Sequence, residues 1–201
     1  MTPSLPRPST VLTSTLLLIV SAVVAIPGSA QVAGWKPSDP GDRVLDRDLY
    51  EGARATVVAF REQDPDMAAF FDQAHSYVVF PTVGKGGIGI GGAYGKGVLF
   101  HGGQAVGEVS LSQVTIGFQW GGQAYSEAIF FESQSDTERF VEGNFELAAQ
   151  ASAVAATVGA SRDVSYEGGV AIFTMAKGGL MYEASVGGQK FSFNPASPPS
   201  N

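Results

Sequence analysis

Apolar positions along the chain recur first at helical spacing and then, from residue 76 onward, at strand spacing. Leu45, Leu49, Ala53, Val57 and Phe60 stand three or four apart within Arg43–Gln63, with Arg47, Glu51, Arg54 and Arg61 elsewhere on the wheel. That pattern predicts an amphipathic helix. Its acids offset its arginines, which favours packing on the domain's own sheet over a membrane-surface position. Asp64-Pro65 has the form of an N-cap and first-turn proline, predicting a short helix through Met67, Phe70 and Phe71. Ser76–Phe80 (SYVVF) reads as a strand. Between Ser112 and Tyr125 the period is two: Val114, Ile116, Phe118 and Trp120 share one face, and Thr115, Gly117, Gln119 and Gly121 the other. Ala128–Phe131 (AIFF) is the next strand.

Ser135 and Glu138 have capping-box spacing, predicting a helix that carries Phe140 and Val141 and stops at Gly143. Phe145–Val158 has small residues on both faces; its alanines would also support a helix, but a strand in a crowded, curved sheet fits better. Gly169–Met175 and Leu180–Val186 read as strands joined by a turn at Ala176-Lys177-Gly178-Gly179, and Lys190–Phe193 as the closing strand.

The glycine run from Phe80 to Phe100 (FPTVGKGGIGIGGAYGKGVLF) organises the rest. Glycine costs a helix about 1 kcal/mol per residue relative to alanine, so this composition excludes a helix. Alternating glycine with isolated apolar residues predicts a bent pair of strands, the first hairpin of the domain, whose bare glycine face must be packed over or sharply curved. The tally, about eight short strands and three helices, gives an α+β, β-rich class: an antiparallel sheet curled into a barrel or sandwich with helices at one side or end.

Length and composition add an address. Residues 1–30 carry one basic residue, Arg7, then an apolar stretch from Leu16 to Ile26 and small residues at Gly28 and Ala30. This is the pattern of a signal peptide cleaved after Ala30, and the stretch is shorter than the ~20 residues of a membrane span. Residues 31–42 then form a linker, 43–193 a single domain, and 194–201 a flexible, proline-rich tail. Export to the periplasm or the extracellular space follows. With no cysteine there is no disulfide framework, thiol nucleophile or lipoprotein anchor. Removing residues 1–30 takes the formal charge from −7 to −8, which argues against nucleic acid as a partner.

Residue patterns that could carry chemistry are sparse. Gly87, Gly89 and Gly92 match G-x-G-x-x-G, but the motif should open a helix and here more strand follows, and the phosphate-loop pattern fails at Gly97. His75 and His101 lack a carboxylate or serine at motif spacing and read as partly exposed loop residues. Ser126-Glu127 beside Tyr125 lacks a nucleophile elbow and reads as an exposed hairpin edge. Asp46 and Asp48, two apart on a helix, do not face one metal. The expectation is a non-enzyme without cofactor or metal.

Four ordered motifs carry a resemblance: VGKGGIGIGGAYGKGVLF, SQVTIGFQWGGQAYSEAIFF, EGNFELAAQASAVAA and GVAIFTMAKGGLMYEASVGGQKFSF. Over roughly Leu45–Phe193 the chain resembles the SYLF lipid-binding domain family in its bacterial exported branch. The resemblance implies a non-enzymatic domain that binds phospholipid, phosphoinositides among eukaryotic members, some of which also bind actin filaments. It places the family's fold glycines at Gly87, Gly89, Gly91, Gly92, Gly95 and Gly97, at Gly117, Gly121 and Gly122, and at Gly178, Gly179, Gly187 and Gly188, with Gln119, Lys177 and Leu180 in the same motifs. Two departures weigh against phosphoinositide preference and actin binding. Arg43, Arg47 and Arg54 alternate with Asp46, Asp48 and Glu51 where relatives are basic, and GEVSLS stands at Gly107–Ser112 in place of a tryptophan-serine-x-proline pattern.

The expected partner is therefore a phospholipid or membrane surface. Contact would combine an apolar patch, either Leu45, Leu49 and Val57 or the pair Phe70 and Phe71, with cations at Lys85, Lys96, Lys177 and Lys190 converging at one end of the sheet, joined by Arg43, Arg47 and Arg54. Two other classes stay open: a small outer-membrane β-barrel, and a periplasmic module binding a protein partner the sequence does not identify.

Overall fold

The computed structural model describes residues 39–117, 123–143, 145, 152–177 and 184–200, with backbone alone at 88–90, 115–117, 152 and 184–185. The expectations placed on residues 1–38, Phe118, Gln119, Trp120, Gly121, Gly122, Gly178, Gly179 and Leu180 lie outside them. All described residues fall within the unit Gln31–Asn201.

The elements run α1 (Arg47–Gln63), a 3-10 turn (Pro65–Met67), α2 (Ala68–Gln73), β1 (Ser76–His101), β2 (Gln104–Gly117), β3 (Gln123–Phe131), α3 (Gln134–Val141), β4 (Ser152–Ala155), β5 (Val170–Ala176), β6 (Ala184–Ser185) and β7 (Lys190–Pro195). The seven strands form one mixed sheet in the order β6-β4-β5-β3-β1-β2-β7. The fold is α+β and β-rich, as expected, with the sheet curled but not closed into a barrel.

β1 is extended over 26 residues, yet its ends meet. A straight strand at ~3.3 Å per residue would hold Tyr77 and Phe100 roughly 75 Å apart. Their rings are stacked with centroids 5.2 Å apart, and the rings of His75 and His101 lie 4.7 Å apart. The run therefore folds back on itself. Its first arm, Ser76–Lys85, pairs with β3, and its second, Gly89–His101, pairs with β2. Glycine is needed where the arms face each other. A Cβ on Gly97 would come within 2.7 Å of the Phe80 ring and the Val79 carbonyl, and one on Gly95 within 3.0 Å of Val83. At Gly95 and Gly97 the missing side chains make room for Val83 and Phe80. The turn into β2 is Gly102-Gly103, both at positive φ, as a two-residue hairpin requires.

Both faces of the central strands are buried, which is why they read as near-continuous apolar runs. On the inner face Val78, Phe80, Leu99, Leu111, Ile129 and Ile172 join Phe140 of α3 and Phe191 of β7. Phe191 lies 6.0 Å from Phe80 and 5.2 Å from Phe140, so the curl brings the far edge strand back to α3. On the outer face Tyr77, Val79, Val98, Phe100, Phe130 and Phe173 are covered by α1 and α2 through Leu45, Ala53, Phe60, Met67 and Phe71. The rings of Phe70 and Phe71 stand 5.4 and 4.8 Å from that of Phe130. Asp64, between the helices, accepts hydrogen bonds from the backbone of Asp66, Gly159 and Ser161 at 3.2, 3.0 and 2.9 Å. Burial opposes its ionisation, but those bonds outweigh it and hold the carboxyl below the ordinary range.

Several boundaries differ from the sequence reading. α1 begins at Arg47 because Asp46 caps it, its side chain accepting from Leu49 N. The α3 capping box is Ser133 and Asp136, two residues earlier than anticipated, although the helix does give way to Gly143 at positive φ. β5 and β6 are not neighbours: β4 lies between them, parallel to β5 and antiparallel to β6, so the sheet is mixed. The segment after Phe193 is docked, because β7 continues to Pro195 against Gly107, Ala196 is buried, and Ser197 bridges Val44 and bonds the backbone of Leu45 and Arg43.

Candidate functional site

Alternation along each strand decides which polar residues can meet. Tyr125, Ile129 and Phe131 face inward, and so does Glu127, lying between Phe80 of β1 and Thr174 of β5. Ser126 faces the other way and donates to the carbonyl of Pro81 at 2.8 Å, at the bulge where the β1–β3 register shifts. Both residues are fully buried in a central strand. The expectation of an exposed hairpin edge at Ser126-Glu127 is thereby corrected; β5 covers what would have been the edge.

Glu127 anchors an inner-face polar cluster. Gln189 Nε2 donates to Glu127 Oε2 at 3.0 Å and to the Tyr125 hydroxyl at 3.4 Å. Gln189 reaches inward from the turn at Gly187-Gly188, where Gly188 takes positive φ. Gln113 Nε2 donates to the Gly187 carbonyl at 2.7 Å and so ties β2 to that turn. Glu127, Tyr125 and Gln189 are each 0% exposed. Neither Glu127 Oε1 nor Gln189 Oε1 has a hydrogen-bond partner in the protein. Burial pushes the Glu127 carboxyl up to about 7, against the opposing pull of Gln189, Tyr125 and Lys85. Burial together with Glu127 also pushes the Tyr125 hydroxyl up. Lys85, one alternation beyond Val83 on the same arm, is half-buried on this face; burial draws its ammonium down while Glu127 pulls it up.

The other three lysines lie on the opposite face. Lys190 pairs across β2 with Ser112, which pairs with Tyr94; one row over, Ser192, Ser110 and Lys96 are aligned. Lys96 Nζ bonds Glu108 at 2.9 Å, which holds its ammonium above the usual range. Lys177 Nζ donates to Thr82 Oγ1 at 2.8 Å on the same side. The four lysines therefore do not converge at one end: Lys85 points into the curl, and Lys96, Lys177 and Lys190 mark the part of the outer face that α1 and α2 leave bare. The arginines stand at the helix instead. Arg47 donates to the Ser200 carbonyl at 2.7 Å, Arg54 lies over the Tyr50 ring near Glu51, and the Arg43 carbonyl accepts from Ser197. Leu45 and Phe71 are core residues, and Leu49, Val57 and Phe70 pack against that core, so the apolar patch expected of them is spent on folding. What stands exposed on the bare sheet is Tyr94 (57%) and Val114 (78%).

The histidines are partly exposed, as expected, His75 in the bend before β1 and His101 at its end, and they lie against each other. His75 Nδ1 is 3.0 Å from Thr137 Oγ1, and His101 Nδ1 is 2.9 Å from the His75 carbonyl. Burial and the neighbouring His101 draw His75 below the usual histidine range. Among the described residues no cluster of three or more metal-ligating side chains occurs, and no helix is long and apolar enough to cross a membrane.

Sequence reasoning put Glu127 on an exposed edge and missed Gln113 and Gln189. The available signal was Glu127 itself, the only charged residue in AYSEAIFF, where an apolar run implies burial on both faces.

An open curled sheet with helices on its outer face defines a β-rich module, and comparison with known proteins shows what part of it is similar to. Residues 112–196 match the family model Ysc84, described as "Las17-binding protein actin regulator". Over these residues the chain is similar to the Ysc84 (SYLF) family. It is also similar to "Beta cell expansion factor A" of Aeromonas veronii, 28% identical over 149 residues, covering 68% of this chain and 52% of that protein. The chain therefore spans about half the length of the curated relative it matches.

Proposed function

We propose that this is an exported, non-enzymatic module that binds phospholipid and associates peripherally with a membrane through the bare outer face of its sheet. The observation that carries the reading is the shared placement of Lys96, Lys177 and Lys190 with exposed Tyr94 and Val114 and the hydroxyls of Thr82, Ser110, Ser112 and Ser192. Lysines reach phosphates from apolar stems, and a tyrosine ring suits the boundary between headgroup and acyl chain. The general association of the Ysc84 (SYLF) family with lipid and actin-related binding supports the lipid half, and that family's generally non-enzymatic character supports the other. Residues 1–30 supply the export signal. An integral barrel is disfavoured, since a spanning sheet must close on itself to pair its edges.

The test is co-sedimentation of residues 31–201 with phosphatidylglycerol-containing and neutral vesicles at low and moderate salt. Each lysine at an anionic surface contributes about 1 kcal/mol, so the combined change Lys96→Glu, Lys177→Glu and Lys190→Glu should reduce binding by at least about a hundredfold at low salt. Lys85→Glu, on the other face, should change it little. Equal binding by the triple variant and the parent would sink the proposal.

A further inference from the structure

A cavity of about 360 Å³ opens between α2 and the segment that leads into β5. It is lined by Ala69, Phe70 and Gln73 of α2, by Glu132 just after β3, and by Val164 and Tyr166. Ala69, Gln73 and Glu132 are exposed and form its mouth, while Phe70, Val164 and Tyr166 are half-buried and form its wall. A ligand thus has both room and entry. The rings of Phe70 and Tyr166 stand 5.7 Å apart at 52° to each other, making an aromatic corner. Phe70 is held in place by the rings of Phe130 and Phe173, 5.4 and 4.9 Å away, so the corner exists before any ligand arrives.

Charge decides what class of ligand suits it. Among the described residues that line the cavity Glu132 alone is charged, and its carboxylate has neither a hydrogen bond nor an ion pair with another described residue. The arginines of the neighbouring elements are engaged elsewhere: Arg61 with Asp72 at 2.7 Å, Arg162 with Asp66 at 2.9 Å, and Arg139 with Asp136. Burial, with Glu132 adding to it, pushes the Tyr166 hydroxyl up to about 12, so that phenol stays neutral. An anion would be repelled by Glu132. A cation would answer its charge and be drawn to the faces of the two rings.

The wall then selects among cations. A primary ammonium brings three donors that each need an acceptor, and the wall of Phe70, Val164 and the Tyr166 ring presents carbon. A trimethylammonium group has no donor to satisfy, and its methyl groups pack on such a surface. We propose that this cavity binds a quaternary ammonium group, either free choline or the phosphocholine head of a lipid, with Glu132 balancing its charge and Phe70 and Tyr166 enclosing its methyl groups. The site shares no residue with the lysine face, and either can fail without the other.

The experiment is calorimetric titration of the protein with choline, tetramethylammonium, ethanolamine, the neutral tert-butyl analogue of choline, and short-chain phosphatidylcholine below its micelle concentration. Choline and tetramethylammonium should bind saturably, at least about tenfold more tightly than ethanolamine or the neutral analogue. Glu132→Gln keeps the shape of an exposed side chain and should weaken choline binding about tenfold. Tyr166→Phe keeps the ring and should bind as the parent does, whereas Tyr166→Leu should bind at least about threefold more weakly. A response to short-chain phosphatidylcholine without one to free choline, weakened by Glu132→Gln and kept when Lys96, Lys177 and Lys190 are all changed to Glu, supports the site and assigns the group to a lipid. The reverse pattern would assign that response to the lysine face and overturn the site. Equal affinity for choline and its neutral analogue, choline affinity unchanged in Glu132→Gln, or no saturable binding of any quaternary ammonium probe would also overturn it.

Discussion

Ser126 and Glu127 are neighbours in sequence and both fully buried, yet they belong to opposite faces of the sheet and have opposite fates. Ser126 finds the one carbonyl that the β1 bulge frees, at Pro81, and its donor is satisfied. Glu127 enters an apolar layer in which, among the described residues, Gln189 and Tyr125 bond to it, and one carboxyl oxygen stays without a described donor. The same contrast holds for the lysines. Lys96 pairs with Glu108 in water on the outer face, where such a pair contributes at most about 1 kcal/mol, whereas half-buried Lys85 shares a low-dielectric layer with Glu127. Alternation assigns a side chain to a face. What covers that face then sets its chemistry: α1 and α2 over part of the outer side, and α3 with the curl of β7 on the inner side.

The largest expected effect comes from breaking the layer in which the arms of β1 pack. Gly97→Val puts a branched side chain where the Phe80 ring and the Val79 carbonyl already lie within 2.7 Å of the Cβ position. It should destabilise the fold by about 3 kcal/mol or more, or prevent folding. Gly84→Ala, with nothing within 4 Å of its Cβ position, is the control and should be near neutral. Equal denaturation midpoints for the two variants would mean that the arms do not pack as described.

A smaller effect separates the faces by pH. Burial raises the Glu127 carboxyl from 4.5 to about 7, so the folded protein keeps that proton to higher pH than the unfolded chain does. Its contribution is complete below pH ~4.5 and is lost as pH rises to ~7, a change of up to about 3 kcal/mol. The stability difference between Glu127→Gln and the parent should therefore move in favour of the variant over that interval and stay flat above it. His75 acts in the other direction. Its folded value is lowered by burial and by His101, so its contribution is full above the ordinary histidine range and is lost as pH falls through the folded value. His75→Gln should flatten the acidic limb of a denaturation profile. An unchanged limb would mean that the ring pair is not strained by protonation.

The sequence made the elements legible where one period dominated: α1 through Leu45, Ala53 and Phe60, β3 through AIFF, and the glycine run through its alternation. It placed a strand within Phe145–Val158 but not the neighbours of β4, because Ser152–Ala155 pair with β5 and β6, which lie later in the chain. The sites were harder for the same reason. The four lysines all look like turn cations in one dimension; only register, with its bulge between Phe80 and Val83, sends Lys85 inward and Lys96 outward. Gln189 is an ordinary polar residue until the Gly187-Gly188 turn aims it at a strand more than sixty residues earlier.

The smallest effect on folding is the most informative about function. Tyr94 and Val114 are exposed to 57% and 78% on the bare outer face, so little apolar area is lost if they are replaced by serine. Tyr94→Ser and Val114→Ser should each change stability by no more than about 0.5 kcal/mol. On a membrane surface the same side chains would leave water. The double variant should then bind vesicles more weakly even at moderate salt, where the lysine contribution is screened. Apolar and cationic contributions would thus be read from one salt series: a shallower salt slope for the lysine variants, and a parallel, lowered curve for the serine variants. If the serine curve coincides with the parent's, the bare face touches lipid through charge alone.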